Sequence, residues 1–198
     1  MFVTIDGPNG VGKSTVCQRL GRDITDLGMR VEQVRQPSDF ELGRFARANE
    51  GNYVGVPLAV LVVADRYLQI ERQIKPSLGA GRAVICDRYV ASTLVLQRID
   101  GVDVELLLQM NSAALIPDLT VILTASPRLL RERLSERSTR SRFEQRPDIP
   151  ELELEYFEAA SSQLAASGYR VLNLNATHMT PAEVCQKIVA EVAPLIRR

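Results

Sequence analysis

One run in the chain, Gly7-Pro8-Asn9-Gly10-Val11-Gly12-Lys13-Ser14, has residue types and spacing that can do chemistry on a phosphate. Its glycines let backbone N–H groups crowd around phosphate oxygens, and the lysine and hydroxyl that follow add a positive charge and a magnesium ligand. An apolar stretch, Phe2 to Asp6, precedes the run and a helical pattern follows it, so a bound anion meets the N-terminus of a helix. This context makes Gly7, Asn9, Gly10, Val11, Gly12, Lys13, Ser14 and Thr15 candidates for holding a nucleoside triphosphate. Lys13 can reach the β- and γ-phosphates, and Ser14 can bind magnesium. The bland alternative is a tight glycine-rich turn with an exposed lysine, and the agreement of both flanking elements argues against it.

A second constellation is Val84-Ile85-Cys86-Asp87-Arg88-Tyr89. A carboxylate at the C-terminal end of an apolar strand lies where open parallel sheets place their ligands. Asp87 can bind magnesium directly or through water, or it can simply cap the next helix. Arg88 beside it offers a guanidinium, which grips two phosphate oxygens at once. A third is the arginine-rich segment with Arg133, Arg137, Arg140 and Arg142. Such a run is ordinarily a solvated helix face. Beside a phosphate loop it reads as a lid over residues 136–150 that brings positive charge to a transferring phosphoryl group and excludes water.

The elements that must position these residues follow from alternation of short apolar runs with longer helical patterns, which predicts a parallel sheet with helices on both faces. Strands are expected at Phe2–Asp6, Val31–Arg35, Ala83–Asp87, Leu119–Thr124 and Tyr169–Leu174. Helices are expected at Lys13–Leu27, Leu58–Leu78, Ala91–Gln97, Val104–Leu115, Glu151–Ala166 and Pro181–Ile196. Ser126-Pro127 opens another, and Pro76 falls in the last turn of the long second one. The segment Asp39 to Pro57 reads either as a wall of a pocket or as a solvated helix. All 198 residues are read as one domain. Acids and bases balance at 24 each, which leaves no chain-wide basic field for nucleic acid. No apolar stretch is long enough for a membrane span, and the N-terminus lacks the pattern of a secretory signal. The widely spaced Cys17, Cys86 and Cys185 are expected to be reduced packing residues of a cytoplasmic protein. His178, the one histidine, has no partner at metal spacing and receives no role.

Taken in order, GPNGVGKST, Arg35-Gln36-Pro37, Ala64-Asp65-Arg66, Ile74 to Leu78, Asp87 to Thr93, Pro117 to Thr120 and Ser141 to Gln145 resemble the thymidylate kinase family over almost the whole length. The resemblance implies a five-stranded α/β subunit, usually a homodimer, that moves the γ-phosphate of ATP with Mg2+ onto the 5′-phosphate of a deoxynucleotide. It implies that Arg88 and Arg35 meet the acceptor phosphate, that Arg66 faces the acceptor base, and that Thr93 and Gln97 line the base pocket with Tyr89 nearby. It also implies that Arg137 and Arg142 act from the lid and that Asn175 to Thr177, just after the last strand, packs beside adenine.

The acceptor side departs from that pattern. The family usually has an acid where this chain has Asn9, and commonly another at Gln36. A ring that stacks on the base is replaced by Val62, and a tyrosine near the sugar by Leu96. Two amides in place of carboxylates remove charge-assisted hydrogen bonds, roughly twice as strong as neutral ones. The expectation is therefore a kinase acting on a nucleoside monophosphate, dTMP or a related nucleotide. The alternatives are a P-loop kinase for a non-nucleotide hydroxyl and an inactive nucleotide-binding relative.

Overall fold

Every residue of the first strand, β1 (Phe2–Asp6), is buried, as befits a strand with a covered sheet face on each side. A computed structural model of the chain describes residues 1–136 and 148–196. After β1 come α1 (Lys13–Asp26), β2 (Val31–Arg35), α2 (Glu41–Ala48) and α3 (Val56–Gln69). A widened π-helical turn at Ile70–Ile74 carries α3 into α4 (Lys75–Gly79). Then follow β3 (Ala83–Asp87), α5 (Val90–Ile99), α6 (Val104–Met110), β4 (Leu119–Thr124), α7 (Pro127–Ser135), α8 (Ile149–Ala166), β5 (Val171–Asn175) and α9 (Pro181–Ile196). The strands form one sheet in the order β2-β3-β1-β4-β5, and every pair is parallel.

Alternation along the central strands feeds two core layers. Val3 and Ile5 face α1 and α9, packing with Leu20, Ile24, Val184 and Ile188. Phe2, Val84 and Cys86 face the other side, with Leu94 and Val95 of α5 and Phe157 and Leu164 of α8. The order places β1 between β3 and β4, so the connections from β1 and β3 leave a crevice at their C-terminal ends. Ile5 pairs with Asp87 across that crevice, so the phosphate loop and the Asp87–Arg88 turn emerge side by side. Among the described residues no helix is long and apolar enough to cross a membrane.

The structure departs from the predicted elements at three places. The helix expected to Leu115 stops at Met110, because Asn111 turns its Nδ2 back onto the Leu107 carbonyl at 2.8 Å and its Oδ1 accepts from Arg66 Nη1. The last strand starts at Val171 because Gly168, at φ 86°, and Tyr169 close α8, the Tyr169 N–H bonding to Leu164 O at 3.0 Å. Asn175 consequently ends β5 instead of following it. The long helix holds together past Pro76, which brings no N–H of its own, and it changes register at the wide turn just before that residue. The segment left open between Asp39 and Pro57 contains α2. All three cysteines are free and buried.

Candidate active site

The phosphate loop is shaped by glycines that nothing else can replace. Gly7 has φ 146°, and a Cβ on it would lie 2.3 Å from the Leu123 carbonyl oxygen. Gly12, at φ 101°, turns the chain directly into α1. Lys13, only 6% exposed, donates from Nζ to the carbonyls of Gly7 (2.9 Å) and Pro8 (2.8 Å). Burial first and Arg88 second push its ammonium pKa down to about 7, against the opposing pull of Asp87, Glu153 and Asp6. The lysine is thus held over the loop by weak neutral acceptors that an anionic phosphate can displace.

Ser14 Oγ donates to Asp87 Oδ2 at 2.5 Å. Asp87 Oδ1 is buried without a hydrogen-bond partner among the described residues. A hydroxyl and a carboxylate with a free oxygen fit Mg2+, which takes one or two protein oxygens and completes its shell with phosphate and water. Among the described residues no group of three or more His, Cys, Asp or Glu could hold a metal by itself.

Arg88 follows in a left-handed conformation, φ 70°, unusual for a residue with a side chain. Its own N–H bonds to Ile5 O at 3.0 Å, and Asp6 fixes the turn beyond it. Asp6 Oδ1 accepts from Tyr89 N (2.8 Å), Ser92 N (3.0 Å) and Ser92 Oγ (2.6 Å), capping α5 from a neighbouring strand. The Arg88 guanidinium gives Nη2 to Asn9 Oδ1 at 2.7 Å, and its Nη1 is buried with no partner among the described residues. A buried guanidinium with one nitrogen tied and the other unsatisfied is a ready anion receptor.

Beyond Arg88 lies a cavity lined by Gln36, Pro37, Leu58, Val62, Tyr89, Thr93, Leu96 and Gln97 as well as Arg66 and Arg88. Arg66 is bound into the protein: Nε donates to Gln36 Oε1 (2.8 Å), Nη2 to Thr93 Oγ1 (2.7 Å) and Tyr89 O (3.1 Å), and Nη1 to Asn111 Oδ1. Four of its five N–H groups are therefore committed. Tyr89 backs the cavity, with its hydroxyl on Leu115 O at 3.0 Å and its ring edge-on to Phe2. Val62 and Leu96 put aliphatic side chains on the cavity wall. Arg35 is not part of this cavity. It pairs with Asp39 at 2.6 Å in the adjoining groove, which also holds Ser14 and Asp87.

On the other side of the loop a cleft of about 250 Å³ is lined by Gly10, Gly12, Thr15, Arg133, Ala176 and Met179. Arg133 reaches from α7 to the carbonyls of Gly10 (3.3 Å) and Val11 (3.2 Å). Ala176, not Asn175, faces this cleft. The Asn175 side chain accepts from Thr177 N (3.0 Å) and Oγ1 (2.6 Å) and lines a different cavity. Arg137 and Arg142, with most of the expected lid, lie outside the described residues.

Reading the residues alone misses Glu153. It is fully buried on α8 and binds Asn9 twice, Oε2 accepting the Asn9 N–H (2.8 Å) and Oε1 accepting Nδ2 (2.7 Å). Burial pushes its carboxyl pKa up, against the pull of Asn9, Lys13 and Arg88. The signal was in the spacing: Ile149, Glu153, Phe157, Ala160 and Leu164 form one buried stripe, and an acid on such a stripe calls for a partner. Asp6 and Asn111 were likewise unassigned, and both hold site residues from behind.

Known proteins resemble this chain over most of its length. The family model described as thymidylate kinase matches residues 5–188. The chain is 37% identical over 153 residues to the probable thymidylate kinase of Caldivirga maquilingensis, covering 75% of each chain. It is 33% identical to that of Thermococcus kodakarensis over 155 residues, 73% of this chain and 76% of the relative. Against the probable thymidylate kinase of Pyrobaculum aerophilum the match is 32% over 200 residues, spanning 100% of this chain and 96% of the other. With its phosphate loop, parallel sheet and length-spanning relatives, the chain belongs to the thymidylate kinase family of phosphotransferases.

Proposed function

We propose that this protein transfers the γ-phosphoryl group of ATP, with Mg2+, to the phosphate of a nucleoside monophosphate, dTMP or a closely related nucleotide. The observation that carries this reading is Arg88, whose buried, unpartnered Nη1 stands between the phosphate loop and the apolar cavity. An acceptor whose own phosphate enters the site satisfies that nitrogen, whereas a neutral hydroxyl acceptor leaves it unpaired.

In this reading the cleft between Arg133 and Ala176 takes the adenine, and the loop N–H groups and Lys13 take the triphosphate. Lys13 exchanges its two carbonyls for phosphate oxygens, and Ser14 and Asp87 hold Mg2+. Held there, the ion would supply positive charge against the charge that develops on the phosphate oxygens. Arg88 sets the acceptor phosphate so that one of its oxygens lies in line with the γ-phosphorus. No side-chain nucleophile is needed, because positioning and fixed positive charge supply the acceleration. Arg137 and Arg142, expected from the sequence to act from a lid, would add positive charge to the transferring group. Thr93 and Gln97 meet the base in a pocket where Val62 gives no stacking, a loss on the order of 1–3 kcal/mol of base binding.

A second copy of the chain fits the apolar surface formed by Phe45, Tyr53, Val54, Val56 and Val60, which are 38–52% exposed. Val56 and Val60 belong to α3, so a homodimer would bury the outer face of that helix while its inner face holds the acceptor pocket.

The test is ADP release with ATP and Mg2+ across a panel of ribo- and deoxynucleoside monophosphates. Turnover with dTMP or another pyrimidine deoxynucleotide is expected, with a KM raised by the missing ring. A protein that binds ATP and turns over none of the panel would sink the reading and point to an acceptor without a nucleobase.

A further inference from the structure

We infer that Glu153 is a positioning residue for the acceptor phosphate, acting through Asn9 on Arg88. The inference deepens the reading above and rests on its placement of the acceptor phosphate at Arg88.

The two bonds from Asn9 to the Glu153 carboxylate, 2.8 Å from the backbone N–H and 2.7 Å from Nδ2, settle which way the Asn9 amide faces. With Nδ2 committed to a pure acceptor, Oδ1 must point the opposite way, and there it accepts Arg88 Nη2 at 2.7 Å. The guanidinium is planar, so fixing Nη2 also fixes Nη1, the nitrogen that is buried and unpartnered. Without the carboxylate the amide is free to rotate and offer its NH2 to Arg88. Two donors then face each other, and the guanidinium loses its register with the acceptor phosphate.

Packing alone does not call for an acid at this position. Its neighbours on the stripe are Ile149, Phe157 and Leu164, and a fully buried carboxylate carries a desolvation cost that an aliphatic residue would not. What the acid adds is direction. It comes from α8, the element that resumes directly after the expected lid, and it supplies from outside the phosphate loop the negative charge that Asn9 lacks.

The experiment loads the protein with a non-hydrolysable ATP analogue and Mg2+, so that the loop is filled, and titrates inorganic phosphate into the acceptor side. Glu153→Gln is expected to weaken phosphate about tenfold while changing analogue affinity less than threefold. Its amide places an NH2 where one of the two Asn9 donors now meets an oxygen. Asn9→Asp sets two carboxylates against each other and is expected to weaken phosphate to a similar degree. The double variant Asn9→Asp with Glu153→Gln returns one acid and one amide, with the acid now on Arg88, and is expected to recover to within threefold of wild type. Phosphate affinity unchanged within twofold in either single variant, or a double variant no better than Asn9→Asp, would overturn the inference. If Glu153→Gln does not fold, Asn9→Asp decides the matter by itself. Wild type that is silent on the nucleotide panel but loses phosphate on these changes overturns the acceptor assignment and keeps the role of Glu153.

Discussion

Lys13 rests on two carbonyls of its own loop, and burial with Arg88 nearby brings its pKa down to about 7. A triphosphate laid against it favours the ammonium and raises that value again. Between about pH 7 and the ordinary lysine range, the empty site is mostly deprotonated and the filled site protonated, so ATP binding takes up a proton. At pH 8 calorimetry in two buffers of different ionisation enthalpy should show uptake approaching one proton. The Kd for ATP should rise as pH climbs above about 7, approaching tenfold per unit. No buffer dependence, or the same uptake in Lys13→Met, would refute this account of the lysine. The residues around it were unevenly legible in the sequence. The loop could be read because its glycines and lysine are fixed by local geometry at contiguous positions. Arg66 could be located, but its commitment to Gln36, Thr93 and Asn111 depends on how three separate elements meet. Glu153 lies 144 positions from Asn9, and no local pattern links them.

At the scale of elements, the turn between β3 and α5 is where the backbone departs from ordinary conformations. Arg88 keeps φ at 70° because its N–H is tied to Ile5 O while Asp6 holds Tyr89 and Ser92. A side chain in this region costs about 1 kcal/mol, and glycine avoids that cost. Arg88→Ala and Arg88→Gly both remove the anion receptor, so both should lose acceptor turnover. Urea unfolding should nonetheless find the glycine variant more stable by about 1 kcal/mol, and an alanine variant of equal stability would mean that the turn relaxes. The three central strands, β1, β3 and β4, were legible because each is a short, mainly apolar run bounded by turn residues. The helix ends were less so. The stop after Met110 is set by Arg66 pulling on Asn111, and the late start of β5 by the closure of α8; both are tertiary or capping effects that override local periodicity.

For the whole molecule, the patch on α2 and α3 bears on assembly. Val60 is 47% exposed and flanked by other apolar side chains, so Val60→Asp should cost little within one chain and much between two. Sedimentation should show a dimer for the wild type and a monomer for the variant, with the thermal midpoint falling as the protein is diluted only in the former. A monomeric wild type would remove this surface from the account. The contact between Asn9 and Glu153, two side chains 2.7 Å apart, also has a historical side. Acids at both positions would have to share a proton in the interior, and amides at both would leave Arg88 without its counter-charge. Neither position can change first without loss, so the pair should be inherited as a unit. Relatives are then expected to carry an acid at one of the two places and seldom at both, and a lineage moving between the two states must cross a poorly active intermediate.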